Sequence, residues 1–223
     1  MSLARLHIIG EGASEVNFAQ RILAPHLAPK LVLSRAVLTS RDRKHGLVFR
    51  GGLSNYAKAK NDIGLWLREA PEAEHRFTTM FDFYRLPNDF PGYAAAQKLS
   101  DPYQKVAILE EALRADIGDE RFLPYLQLHE FESLIFADPA KLDWEYLDHE
   151  VGIQHLLAVS ADFANPELVN GSESTAPSKR IEQAIPEFDK ATAGISVLSR
   201  IGLLTLKNRC PHFAEWLLKL ESL

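Results

Sequence analysis

The stretch that decides the fold is Arg121-Phe-Leu-Pro-Tyr-Leu-Gln-Leu-His-Glu-Phe-Glu-Ser-Leu-Ile-Phe136. It begins as an apolar run typical of a buried strand, reaches His129, Glu130 and Glu132, and continues at once as an apolar, helix-like run. Acidic side chains are costly to bury unless they are paired or bound to a cation. Two glutamates inside a hydrophobic segment therefore indicate a site with a chemical role.

Two earlier segments repeat the pattern of an apolar strand that ends in a carboxylate. Leu6-His-Ile-Ile-Gly-Glu-Gly-Ala-Ser-Glu15 carries Glu11, and Phe77-Thr-Thr-Met-Phe-Asp-Phe-Tyr84 carries Asp82. In open α/β sheets, ligands bind outside the carboxyl ends of the strands. We therefore expect three strand ends to bring their carboxylates to one metal site.

Strand and helix patterns alternate through the first 138 residues. The predicted strands are 4–9, 30–38, 77–83 and 122–128. The predicted helices are 15–27 with Ser14 as its cap, 53–69, 101–117, and one that begins at 131, with a basic loop over 39–52. This alternation predicts an α/β fold, a mostly parallel sheet with helices on both faces.

The pattern changes after Asp138-Pro139, where helical periodicity continues without a clear strand. The predicted helices of this part are 151–159, 178–185, 195–206 and 212–220. Residues 165–177 are rich in turn-forming residues and predict a loop. We predict an α/β core over 1–140 and a helical extension over 141–223 that packs on it.

Composition and charge narrow the class of protein. The chain has 223 residues, 46% of them hydrophobic, and a net charge of −5. No apolar run reaches the ~18 residues of a membrane span, no signal-peptide pattern is visible, and the single cysteine, Cys210, excludes an intramolecular disulfide. A cytoplasmic protein is expected.

The charge is unevenly distributed. Residues 1–60 hold ten Lys and Arg against three Asp and Glu, whereas the remainder holds fifteen against twenty-seven. One interpretation is a solvated basic face. The other is a phosphate-binding edge, with Arg41, Arg43 and Lys44 as contacts, beside an acidic metal centre.

The predicted metal ligands are Glu11, Asp82, Glu130 and Glu132. Carboxylates favour a hard cation such as Mg²⁺ or Mn²⁺, and no HxxxH or HxH spacing supports zinc. Two such ions would suit phosphodiester hydrolysis. Simpler roles stay open, because Glu11 could cap the following helix and Asp82 could pair with Arg85.

The remaining candidates are also open to two interpretations. Glu130 and Glu132 share a face only if the strand runs through them. Glu15, one helical turn after Glu11, either faces the same site or, as we expect, lies at the surface. Lys179 and Arg180 begin a helix and form either a phosphate site or a solvated helix start. Cys210-Pro-His-Phe-Ala-Glu-Trp216 is a packing segment, and neither a P-loop nor a GxSxG motif occurs.

Four motifs occur in a familiar order: Glu-Gly-Ala-Ser-Glu from position 11, Asp-Phe-Tyr-Arg-Leu-Pro-Asn-Asp-Phe-Pro-Gly from 82, His-Glu-Phe-Glu-Ser-Leu-Ile-Phe from 129 and Pro-Ser-Lys-Arg-Ile from 177. The set resembles a family of uncharacterised bacterial proteins that looks Toprim-like and is distantly similar to OLD-type nucleases. The resemblance spans nearly the whole chain.

The resemblance implies a glutamate after the first strand and an acidic pair after a later one, which together bind Mg²⁺. Glu11 matches the glutamate and Asp82 the first acid of the pair, whereas the second position is Tyr84. A further glutamate of OLD-type members resembles Glu130 or Glu132. Relatives of this kind are often partnered with ABC/SMC-like ATPases in phage defence, which the resemblance implies as a partner here.

Two functions follow as hypotheses. The first is a Mg²⁺-dependent nuclease of DNA or RNA, with Glu11, Glu130 and Lys179 as catalytic residues and Arg180 steadying the phosphate. The second is a non-catalytic Toprim-like protein that binds nucleic acid or docks on an ATPase. The fold does not decide between them, and the sequence does not give the substrate, the partner or the oligomeric state.

Overall fold

The computed structural model describes residues 4–42, 47–50, 53, 55–84, 86–170 and 173–223, with the backbone alone at 38–42, 47–50 and 173. The chain divides into two compact units. We call them the N-terminal unit (Met1–Leu126 and Leu223) and the C-terminal unit (Gln127–Ser222). The division into a core of 1–140 and an extension of 141–223 stays a prediction.

The N-terminal unit is built on a mostly parallel sheet, which confirms the predicted α/β class. Strands β2, β1, β5 and β6 lie side by side in this order, with β7 paired to β5, and β3 and β4 form a separate antiparallel pair. The strands of the described residues are β1 (Arg5–Gly10), β2 (Leu31–Ala36), β3 (Leu38–Asp42), β4 (Leu47–Arg50), β5 (His75–Asp82), β6 (Phe122–Leu123) and β7 (Leu126–Gln127).

The central strand β1 is parallel to both of its neighbours. Ile8 lies opposite Ser34 of β2 and Thr78 of β5. Five consecutive residues of β1, from Leu6 to Gly10, are buried. Successive side chains of a strand point to opposite faces, so both faces of β1 are covered, as expected for a parallel sheet.

The helices of this unit follow the predicted pattern. They are α1 (Ala13–Phe18), a π-helical turn (Ala19–Leu23), α2 (Ala24–His26), α3 (Tyr56–Glu69), α4 (Tyr93–Ala96) and α5 (Pro102–Ile117). Asn55 caps α3 by accepting the N–H of Lys58, and Asp101 caps α5 by accepting the N–H of Tyr103. Such caps satisfy backbone donors that the first helical turn leaves without partners.

Two local predictions were wrong. The strand predicted over 122–128 is divided into β6 and β7 around Pro124, because proline cannot donate a backbone hydrogen bond to a neighbouring strand. The loop predicted over 39–52 contains β3 and β4. Its Val48 and Phe49 continue the β-forming composition of the preceding segment.

The C-terminal unit is helical, and the four helices predicted there are present within two or three residues of the predicted ends. Gly202, with φ of 76° and ψ of 150°, interrupts the helix Ala193–Arg209 with a kink. The 3₁₀-helices are Phe131–Ala137, Pro139–Trp144, Pro166–Leu168 and Glu173–Thr175, and the α-helices are α6 (Glu150–Ala161), α7 (Pro177–Ala184), α8 (Ala193–Arg209) and α9 (Pro211–Glu221). Across the described ranges, no helix is both long enough and apolar enough to cross a membrane.

Candidate functional site

The turn after β1 places the carboxylate of Glu11 at the carboxyl edge of the sheet. Its Oε2 atom accepts the backbone N–H of Asp82 at 3.1 Å, and its Oε1 atom accepts that of Leu53 at 2.9 Å. The N–H of Glu11 donates to the carbonyl of Met80. Hydrogen bonds to a charged acceptor are stronger than neutral ones, so the carboxylate is held in one orientation.

Gly10 allows β1 and α1 to approach each other closely. A Cβ atom at this position would lie 2.9 Å from the Cβ of Glu15 and 3.4 Å from Cγ2 of Val16. A contact under 3.0 Å between such atoms forces one of them to move. The close approach therefore depends on glycine at the end of β1.

The start of α1 differs from the prediction in two respects. Gly12, not Ser14, occupies the cap position, and Glu15 is buried instead of lying at the surface. The Oε2 atom of Glu15 accepts the N–H of Gly12 at 2.6 Å. Glu15 thereby fixes the backbone of the turn that carries Glu11. A glutamate at the third helical position is one half of the capping-box pattern, but the other half requires a Ser or Thr side chain at the cap, which Gly12 lacks.

Asp82 is the last residue of β5 and is half-buried. Because β1 and β5 are parallel, with Gly10 opposite Met80, the backbone N–H of Asp82 reaches the carboxylate of Glu11. That three strand ends bring their carboxylates to one metal site stays a prediction. Asp89, which follows in the loop, accepts the N–H of Tyr56 at the start of α3. Asp89 therefore stabilises a helix start.

In the C-terminal unit, Glu130 and Glu132 also lie close enough for their charges to interact. The 3₁₀-helix Phe131–Ala137 begins directly after Glu130, whose Oε2 atom accepts the N–H of Ser178 at 2.8 Å. Glu132 is 3% exposed, and its Oε1 atom lies 3.3 Å from Nζ of Lys190. Burial raises the pKa of Glu132, Lys190 opposes the rise, and the charge of Glu130 adds to it.

The predicted phosphate-binding cations lie in different settings. Nζ of Lys179 lies 2.6 Å from Oε2 of Glu182, and Nε of Arg180 donates to the carbonyl of Thr175 at 2.7 Å. Both contacts are made within the C-terminal unit. Arg41 lies in β3, but its side chain, like all of Arg43 and Lys44, is outside the described residues.

One buried carboxylate was missed by the sequence interpretation. Glu167, which is fully buried, accepts the N–H of Phe213 at 2.8 Å and that of His212 at 3.0 Å. It thus satisfies two backbone donors in the first turn of α9. The loop prediction over 165–177 could not reveal this role, because the partner lies 45 residues further along the chain.

A cavity of about 380 Å³ in the C-terminal unit contains none of the predicted site residues. Arg209 at its wall donates to the carbonyl of Ala137, and Ser160 donates to that of Phe136. Both of these side chains therefore hydrogen-bond to the backbone. Its lining residues are Ala137, Asp138, Pro139, Leu157, Ser160, Ala161, Thr205 and Arg209.

Whether these residues can bind a metal ion depends on how many ligands the protein itself must supply. Within the described part of the chain, no group of three or more His, Cys, Asp and Glu side chains is arranged to hold one. Mg²⁺, however, is commonly bound by one or two carboxylates together with water and substrate phosphates. Glu11 and Asp82, which a hydrogen bond from the backbone N–H of Asp82 places side by side at the sheet edge, supply that number of carboxylate residues.

Comparison with known proteins identifies the family of the chain but not an activity. No curated protein and no solved structure shows significant similarity to the chain. One family profile, described as "Domain of unknown function (DUF4276)", matches residues 10–221. The match includes the turn of Glu11, the end of β5 and the helices of the C-terminal unit. The chain therefore belongs to the DUF4276 family.

Proposed function

We propose that the protein is a Mg²⁺-dependent nuclease of DNA or RNA with its centre at Glu11 and Asp82. The observation that carries the proposal is the hydrogen bond from the N–H of Asp82 to Oε2 of Glu11. It brings two acidic residues to the carboxyl edge of a parallel sheet, where ligands of open α/β proteins bind. The resemblance to a Toprim-like family and to OLD-type nucleases supports the same function.

Glu11 and Asp82 are the residues that would hold Mg²⁺ (or Mn²⁺) in this proposal. The bound ion would neutralise negative charge that develops on a phosphoryl oxygen. The chain contributes a carboxylate whose orientation is already fixed by two backbone donors. A group fixed before substrate binds loses little free energy to reorganisation during the reaction.

The residues of the C-terminal unit enter the proposal with the roles that the motifs imply. Glu130 and Glu132 would be further metal ligands in their own unit, with Glu130 and Lys179 taking part in catalysis, and Arg180 would contact phosphate. Each of these roles would require the side chain to share or leave the partner that it contacts in the structure. Glu130 would have to share its carboxylate with the N–H of Ser178, and Lys179 would have to leave Glu182. Leaving an exposed ion pair of this kind costs little, about 1 kcal/mol or less.

A second candidate function is a non-catalytic Toprim-like protein that binds nucleic acid or docks on an ABC/SMC-like ATPase, as in phage-defence systems. The observation that favours it is that both carboxylate oxygens of Glu11 already accept backbone hydrogen bonds. A glutamate bonded in this way has a structural role, because it joins β1, β5 and the segment before α3. Tyr84, which stands where the resemblance implies a second acidic residue, also favours the second candidate.

Titration calorimetry of Mg²⁺ and Mn²⁺ distinguishes the two candidates. Asp82→Asn removes a negative charge but keeps the backbone N–H that binds Glu11. Glu120→Gln is the matched control, because Glu120 is exposed and lies before β6, at the amino edge of the sheet. The same samples are then assayed for cleavage of single- and double-stranded DNA and RNA.

The nuclease proposal predicts binding and cleavage in the wild type and in Glu120→Gln, and loss of both in Asp82→Asn. If the wild type neither binds these ions nor cleaves, with nucleic acid present or absent, the second candidate is favoured. Cleavage that persists unchanged in Asp82→Asn would contradict the proposed centre.

A further inference from the structure

The segment that joins the 3₁₀-helix Pro139–Trp144 to α6 exposes three large apolar side chains. Trp144 is 62% exposed, Leu147 is 70% exposed and Val151 is 86% exposed. Of the large apolar side chains in the described ranges, only one other, Leu204, exceeds 60%. Three such residues within eight positions are a local concentration of exposed apolar side chains, and such concentrations mark interaction sites more often than scattered single residues do.

The backbone under this surface is fixed in place. Tyr146, which is buried, accepts the N–H of Asp189 on its hydroxyl at 3.0 Å. Its ring also lies against Phe188, with centroids 6.2 Å apart. α6 also packs against the 3₁₀-helix Pro139–Trp144. The backbone that carries the exposed side chains is therefore supported by tertiary contacts. A partner would therefore lose little free energy to ordering this segment.

Trp144 has one stabilising side-chain contact while it stays exposed. The guanidinium of Arg200 in α8 lies 4.3 Å from the centroid of its indole ring. This cation–π contact limits the rotamers of a residue type that often dominates the energetics of protein interfaces. Trp144 is thus suited to act as the anchor of an interface.

Acidic residues alternate with the three apolar ones along the segment, where Arg200 on Trp144 is an opposing cation, and they restrict the class of partner. Their charge repels the phosphates of nucleic acid and the anionic surface of a membrane. It favours a partner that presents Lys or Arg beside apolar residues. The exposed acidic residues of this segment are Asp143, Glu145, Asp148 and Glu150.

We propose that Trp144, Leu147 and Val151, with their acidic rim, form a docking surface for a basic amphipathic helix of a partner protein. A helix presents apolar residues every three or four positions along one face and can place Lys and Arg at its borders. The surface lies within the C-terminal unit. The proposal is therefore independent of whether Glu11 and Asp82 bind a metal.

The probe is a fluorescent model peptide of leucine and lysine, about 14 residues or four helical turns long, with its leucines on one face. Two peptides serve as comparisons, one with the same composition scrambled and one with every lysine replaced by glutamate. Affinity is measured by fluorescence anisotropy at low and high salt. Light scattering of the protein alone tests for self-association.

Two variants separate the apolar from the charged contribution. W144S/L147S/V151S removes the apolar anchors and keeps the charge, and D143N/D148N/E150Q removes three charges and keeps the anchors. All six side chains are exposed, so both variants should fold, which thermal unfolding followed by circular dichroism verifies. L65S/L218S, which changes two exposed leucines elsewhere, is the matched control.

We expect the amphipathic basic peptide to bind the wild type and the control at least about tenfold more tightly than it binds either triple variant. The amide variant should also show weaker salt dependence. Equal binding of the scrambled or the glutamate peptide, or unchanged binding to W144S/L147S/V151S, would overturn the proposal. Self-association that disappears in W144S/L147S/V151S would also overturn it, because the occupant would then be a second copy of the chain.

Discussion

His7 and His75 share a buried hydrogen bond between neighbouring parallel strands, with 2.6 Å between Nε2 of His7 and Nδ1 of His75. Both imidazole rings are stacked relative to the ring of Phe77, and both histidines are buried. Burial lowers the pKa of His7 to about 4, with further contributions from His75 and from Arg35, Arg121 and Arg5. His7 is therefore neutral in the folded protein at pH 7.

This relationship predicts a loss of stability in mild acid. Between the unfolded pKa of 6.5 and the folded pKa of about 4, the unfolded chain binds a proton at His7 that the folded protein does not bind. The free energy of unfolding should fall as the pH drops through that window, by up to about 3 kcal/mol. Urea unfolding of the wild type at several pH values measures it.

Replacement of His7 by Gln removes this titrating group and should flatten the pH dependence in that window. His155→Gln, at an exposed position, is the control and should keep the slope of the wild type. Equal slopes in His7→Gln and the wild type would contradict the assignment to His7.

Glu167→Ala should destabilise the protein strongly. It leaves the N–H groups of His212 and Phe213 without their acceptor at the start of α9. Buried donors without partners cost about 1–3 kcal/mol each, so a loss of about 3 kcal/mol is expected in urea unfolding. Glu215→Ala, at an exposed position of the same helix, should change stability by about 0.5 kcal/mol or less. Similar losses in the two variants would argue against the capping role.

Cys210 should not react with thiol reagents while the protein is folded. The residue is fully buried, and burial raises the pKa of its thiol, with a further contribution from the negative charge of Glu167. Reactivity follows the thiolate form and its exposure. Ellman's reagent should therefore titrate one thiol in urea and essentially none in buffer. Rapid and complete reaction in buffer would disprove the buried, protonated state.

Gly10→Ala should destabilise the N-terminal unit by about 1–3 kcal/mol, because the added Cβ would lie only 2.9 Å from the Cβ of Glu15. Gly64→Ala in α3 is the matched control. The nearest atom to its added Cβ is the flexible guanidinium of Arg68, at 3.3 Å. In a helix interior, alanine is favoured over glycine by up to about 1 kcal/mol. Thermal unfolding should thus show opposite shifts, and a neutral Gly10→Ala would refute the close approach.

Local sequence patterns were enough to predict the sheet and most helices. The apolar runs that contain Ile8 and Phe77 are typical of strands buried on both faces of a parallel sheet. The break at Pro124 was equally readable, because the residue cannot complete the hydrogen bonds of a continuous strand.

The partners of polar side chains were predictable only in part. The meeting of Glu11 and Asp82 followed from the common direction of two strands. In contrast, Glu167 caps a helix 45 residues away, and the His7–His75 pair joins positions 68 apart. Such contacts depend on the tertiary arrangement of the chain, which no local pattern of charge or hydrophobicity specifies.

The setting of Glu11 is assembled from distant parts of the chain. Leu53 and Asp82, whose N–H groups hold the carboxylate, lie 42 and 71 positions away from it. The turn between β1 and α1 therefore carries the acidic group, but does not orient it by itself. A short peptide with the sequence of this turn would reproduce the residues and lack the orientation. This orientation comes into existence only when the sheet folds, so the proposed function would depend on an intact fold.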